Sequence, residues 1–138
     1  MFGETKPQNL TIEEMGKEGE ERARLLLKSL GYTLTKPDWI GEKDGQFTQF
    51  EIKMKAEPFT AGYCGKKWCE FTGHGLDIYQ LERRLRLQNN HNLPCEVIIF
   101  EKEPTNIYRQ SLNKLELGKR FNTPNNIRIY PLDSYERL

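Results

Sequence analysis

Asp38, Glu51 and Lys53 are the residues of this sequence whose types and spacing suit chemistry. They lie in the stretch KPDWIGEKDGQFTQFEIKMK, residues 36–55. Phosphodiester hydrolysis asks for oxygen ligands to a hard divalent cation, an oriented water, and positive charge against the phosphoryl oxygens. Two carboxylates and an ammonium can meet those needs if the chain brings them together. Residues 38 and 51 are equidistant from the Asp44–Gly45 turn signal, so an unbulged hairpin sets them opposite each other. Like charges placed that way repel. They call for a bound cation or for Lys53, which shares the face of Glu51 at the strand period of two. The competing reading is a solvated hairpin that alternates Glu and Lys, and an isolated Glu-x-Lys is usually that.

The elements that must position these residues follow from periodicity. IEEMGKEGEERARLLLKSLGY reads as a first helix, entered through a Thr11/Glu14 capping box and closed by Gly31. Met15, Gly19, Ala23, Leu26, Leu27 and Leu30 share its apolar face, while Gly16 and Gly19 weaken its first turns. Glu20 sits at the margin of that face, and Glu14, Glu18 and Glu21 point further toward solvent. YTLTKPDWI reads as a strand that Pro37 restricts to an edge or a bulge. In QFTQFEIKMK, Phe50, Ile52 and Met54 face inward, with Glu51 and Lys53 on the other side. Residues 56–75 have no clean period and read as a long loop of the kind that is usually functional. LDIYQLERRLRLQ is a second helix with Ile78, Leu81 and Leu85 inward, and PCEVIIFEK a central strand buried on both faces. Residues 105–117 are ambiguous between strand and helix. NNIRIYPL is a last strand and DSYERL a short helical tail.

With Pro37-Asp38 followed by Glu51-Ile52-Lys53, the chain resembles the PD-(D/E)XK nuclease superfamily. GKEGEERARLLLKSLGY also resembles the first helix of that superfamily's Holliday junction resolvase-like branch, through its Gly-Glu pair, the Ala that follows and the Gly-aromatic end. The resemblance covers about residues 16–100 and is strongest over 16–55. It implies an α/β restriction-endonuclease-like core, a central mixed β-sheet flanked by α-helices. It implies that Asp38, Glu51 and the backbone carbonyl of Ile52 ligate Mg²⁺ or Mn²⁺, and that Lys53 is the catalytic lysine. Glu20 becomes the first-helix carboxylate that acts through water or a second ion. Glu42 and Asp44 are alternative acids, but Asp44 is accounted for by its turn and Glu42 is closer to the turn than the pattern expects. Gln80 suits the polar position common on the following helix, and Arg84 is its i+4 neighbour. Both can reach substrate phosphates, or form an ordinary solvated face. Glu82 and Arg86 read as a surface ion pair.

In the 56–75 segment, Lys66 and Lys67 stand among Tyr63, Trp68 and Phe71, a pattern that suits base stacking and phosphate contact. A loop pinned by its aromatics, with solvated lysines, accounts for it equally well. Cys64, Cys69, His74, His91 and Cys95 lack the close Cys pair of a strong zinc motif, so no zinc and no catalytic cysteine are expected. Cys95 reads as a core residue and His74 as a loop residue.

Composition bounds the rest. The chain of 138 residues suits one domain, 12–138, after a leader at 1–11. It is 36% hydrophobic and 30% charged, with enough aromatics for a core and too many to be disordered. Net charge +1 does not by itself announce a nucleic-acid partner, although a local basic groove remains compatible with it. No apolar run nears the roughly 18 residues of a membrane span, no membrane partner is expected, and three cysteines give no disulfide framework, so a cytoplasmic location is the default. The expectation is a metal-dependent nuclease. DNA is favoured as substrate by the resemblance, and RNA is not excluded by the residues. Cutting both strands of a duplex would favour a homodimer. The alternative is a DNA-binding module that keeps the fold without the chemistry.

Overall fold

The computed structural model describes residues 12–35, 40–102 and 106–138. Its first element is α1, Ile12–Ser29. Gly31 ends it in the left-handed region at φ +93°, where a Cβ would be strained, and the Tyr32 amide donates back to the Leu27 carbonyl at 2.9 Å. Thr11, the expected cap, lies outside the described residues.

Three short-to-long strands follow: β1 (Thr33–Thr35), β2 (Ile40–Lys43) and β3 (Gln46–Lys55). Here the expected single strand over 32–40 is corrected. β1 pairs antiparallel with β2, Thr35 opposite Ile40, so the chain reverses between them. Asp38 falls in that interval, outside the described residues. The β2–β3 hairpin has the anticipated register: Ile40 faces Gln49 and Lys43 faces Gln46. Asp44 and Gly45, at φ 53° and 80°, provide the two positive-φ positions that a tight hairpin turn needs.

The segment expected to be a loop contains β4 (Gly62–Cys64), β5 (Lys67–Cys69) and the start of β6 (Gly73–Asp77). Then come α2 (Ile78–His91), β7 (Cys95–Glu101), β8 (Ile107–Ser111), α3 (Leu112–Leu117), β9 (Phe121–Asn122), β10 (Ile127–Pro131) and β11 (Glu136–Arg137). The ambiguous 105–117 stretch is thus a strand followed by a helix. The expected helical tail is one 3-10 turn, Leu132–Ser134, followed by a strand.

The main sheet has six strands in the order β1-β2-β3-β7-β8-β11, and a smaller sheet runs β6-β10-β9. Within the main sheet β3 and β7 are parallel and the other pairs antiparallel, so the sheet is mixed. The parallel pair needs a crossover, and β4 through α2 provide it. One face of the sheet is covered by α1: Ala23 and Leu27 pack on Phe50, Met54, Ile98 and Phe100. Gly19 is at this contact too, where an added Cβ would come within 3.1 Å of the Met54 Cβ. On the opposite face, Leu76, Leu81, Leu112, Leu115, Tyr130 and Tyr135 enclose Cys95, Val97, Ile99 and Tyr108. The result is an α/β domain with a central mixed sheet between helices. Among the described residues no helix is long and apolar enough to cross a membrane.

Candidate functional site

The alternation of β3 puts Phe50 and Met54 against α1 and turns Gln49, Glu51, Lys53 and Lys55 to the face covered by α2. That polar stripe is not a solvated surface. Gln49 is fully buried and Glu51 is 5% exposed. A carboxylate so placed needs partners, because an unpaired buried charge is costly. Arg84 provides one, its Nε donating to Glu51 Oε1 at 2.8 Å. Lys53 Nζ lies 3.6 Å from the other oxygen, Oε2, with more than a quarter of its side chain open to solvent.

Gln49 fixes this arrangement. Its Oε1 accepts from an Arg84 terminal nitrogen at 3.1 Å, and its Nε2 donates to the carbonyls of Arg84 and Leu93 at 2.8 and 3.0 Å. Helix α2 is set in place from its start, where the Asp77 carboxylate accepts from the amides of Tyr79 and Gln80. Asn92, in the left-handed conformation, ends it. One turn ahead of Arg84, Gln80 Oε1 is buried without a hydrogen-bond partner among the described residues.

Further along the same face Lys55 lies opposite Glu101 of β7. Burial, then the neighbouring Lys53, holds the Lys55 ammonium below its ordinary pKa. Glu101 accepts from Asn106 and pairs with His74 Nε2 at 2.7 Å. His74 belongs to β6 and is fully buried, which corrects its reading as a loop residue. Burial, helped by Lys55, holds its pKa below the ordinary value against the upward pull of Glu101. Its Nδ1 has no hydrogen-bond partner among the described residues.

The expected site residues therefore fall into three groups. Glu51, Lys53 and Arg84 come together, with Arg84 turned onto Glu51 and Gln49 rather than onto a solvated helix face. Ile52 lies beside them in the β3–β7 ladder opposite Ile98, its side chain toward α1. Glu20 is exposed on α1, the helix on the other face of the sheet, and Asp38 lies outside the described residues. Lys66, Lys67 and Trp68 are exposed on the β4–β5 hairpin. Gln49, Lys55 and Glu101 were not anticipated, and His74 was expected only as a loop residue. For Gln49 and Lys55 the signal was their shared strand face with Glu51; for Glu101, an acid ending a buried apolar run.

A divalent hard cation takes oxygen ligands. The described residues supply one carboxylate here, Glu51, whose Oε2 is held only by the longer Lys53 contact. No group of three or more His, Cys, Asp or Glu able to hold a metal occurs among the described residues. Cys69 and Cys95 are buried and Cys64 is half-buried. No protein-family model, curated protein or solved structure matches this chain.

Proposed function

We propose that the chain is a Mg²⁺- or Mn²⁺-dependent nuclease with a restriction-endonuclease-like core, hydrolysing phosphodiester bonds of DNA. The observation that supports it most is the burial of Glu51 on a sheet face, held between Arg84 and Lys53. An apolar residue there would complete the core at lower cost. The helix–hairpin–helix–strand order around a mixed sheet also suits this core.

The donors are hard oxygens, the ligand type such a cation takes: Asp38, Glu51 and the Ile52 carbonyl would hold it, while Glu20, on the other face of the sheet, would act only through water or a second ion. Once bound, it would offset charge on the phosphoryl oxygens and the departing oxygen. Lys53, partly open to solvent, orients the attacking water and faces the charge that develops on the phosphoryl group. Arg84 and Gln49 keep the Glu51 carboxylate in one orientation, and α2 keeps water from its inner side.

The second reading, a non-catalytic DNA-binding module, is favoured by one observation: Arg84 already neutralises Glu51. Cleavage assays separate the two. Linear duplex, single strand, flap, four-way junction and RNA are incubated with Mg²⁺, Mn²⁺ or EDTA. Metal-dependent cleavage reduced at least about 100-fold in Lys53→Ala is the expected result. Added Mg²⁺ should raise the melting temperature of wild type and leave Glu51→Gln unmoved. DNA binding without cleavage, and no Mg²⁺ shift, would establish the non-catalytic module.

A further inference from the structure

The β4–β5 hairpin projects two aromatic rings into water. Tyr63 and Trp68 are cross-strand partners, their centroids 5.0 Å apart at 75°. They are 76% and 60% exposed, so neither ring is spent on the core. Edge-to-face contact leaves ring faces unused by the pair itself.

The hairpin is held at both ends. At its base Phe59 and Gly73 exchange backbone hydrogen bonds of 2.8 and 3.0 Å, and the Ala61 amide donates to Thr72 Oγ1. At its tip Gly65, at φ +65°, lies so close to Pro124 that an added Cβ would meet its Cγ at 3.1 Å. The rings are thus presented on a fixed arm, which lowers the ordering cost of binding.

The charge around the rings is positive. Lys66 and Lys67 are exposed, and their side-chain ammonium groups have no ion-pair or hydrogen-bond partner among the described residues. By contrast, the nearby cations Lys119 and Arg120 are compensated by Glu70 and Glu116. Between Trp68, Glu70 and Phe71 on one side and Lys119, Arg120 and Phe121 on the other runs a cleft of about 250 Å³.

We infer that this hairpin is a stacking arm for unpaired bases, with Lys66 and Lys67 on the phosphates, so that the substrate carries a single-stranded segment. The inference rests on the proposed nuclease reading for its biological use, and deepens it. Exposed ring faces flanked by uncompensated cations match a polyanion whose bases are free to stack. A stacked duplex hides those base faces and offers the rings nothing.

The test is binding in EDTA, where cleavage plays no part. Trp39→Phe leaves Trp68 as the sole indole, since the chain has two tryptophans. A twelve-nucleotide oligothymidine should quench its fluorescence and bind at least about tenfold more tightly than a duplex of that length. Tyr63→Ala/Trp68→Ala should weaken oligothymidine binding about tenfold, read by anisotropy of a labelled strand, with duplex binding and melting temperature unchanged. Lys66→Ala/Lys67→Ala should lower the salt slope of log Kd by about 1.4. Equal affinity for single strand and duplex, or no quenching, would overturn the arm. So would self-association that Trp68→Ala abolishes, which would assign the hairpin to a second copy. Metal-dependent cleavage with no single-strand preference in EDTA would sink the arm alone. Single-strand binding without cleavage of any substrate would sink the nuclease reading alone.

Discussion

Arg84 of α2 donates its Nε–H to Glu51 of β3 at 2.8 Å, across the interval between the second helix and the main sheet. This contact joins the element that carries the candidate chemistry to the element that covers it. Its removal would leave a buried carboxylate with only the longer Lys53 contact.

Arg84→Ala is accordingly expected to cost about 2–4 kcal/mol of stability, because a buried charge loses its nearest partner. Urea unfolding checks this: the midpoint should fall while the slope stays the same. Combining it with Glu51→Gln should recover at least about 1 kcal/mol, the signature of two groups that interact directly. Additive losses would show that the pair is not coupled.

His74 gives the fold a pH dependence of fixed sign. Burial lowers its pKa from the ordinary 6.5, against the opposing pull of Glu101 and with the help of Lys55. Between that lowered value and 6.5, the unfolded chain binds a proton that the folded chain does not. Stability therefore falls as pH drops below 6.5, by at most about 1.4 kcal/mol per pH unit. Urea midpoints measured from pH 7.5 to 5.5 should decline in wild type and flatten in His74→Gln, whose amide can still donate to Glu101. A wild-type midpoint that rises over this range would contradict the assignment.

The three thiols should react at different rates. Burial pushes the Cys95 thiol up to about 12, and Cys69 is as inaccessible, whereas Cys64 is half-buried on the hairpin. A thiol-specific reagent at pH 8 should modify Cys64 first and reach the others only in denaturant. Cys64→Ser should remove the fast phase, and fast labelling of Cys95 would refute the packing described for β7.

Much of this arrangement was legible in local pattern. Ala23 and Leu27 recur at the helical period and Gly31 stops the helix, so α1 could be read directly. The Asp44–Gly45 pair fixed the hairpin register, because that turn leaves no freedom to slip. The face assignment of Phe50 and Met54 followed from the strand period. What escaped was decided by close backbone approach or by distant partners. Gly73 and Gly75 argue against a strand, yet β6 requires them: a Cβ at Gly73 would lie 1.9 Å from the Tyr130 carbonyl oxygen, and one at Gly75 2.6 Å from Ile127 Cγ2. The β4–β5 hairpin hid because its strands have three residues each, too few for an alternating pattern to register. Arg84 looked like a surface cation because nothing near it in sequence names Glu51 as its partner. The pairing of β1 with β2 escaped because Pro37 reads as a mark of an edge or a bulge within one strand.

The main sheet ends at β1 on one side and β11 on the other, with three and two residues respectively. Both residues of β11 are charged, and Arg137 also reaches back to Asn106. An incoming strand would find almost no backbone ladder to extend and would meet charges of both signs. The long, apolar β7 lies between β3 and β8, shielded from such templating. The main sheet is thus built to resist edge-to-edge polymerisation while it holds its long apolar strand at the centre.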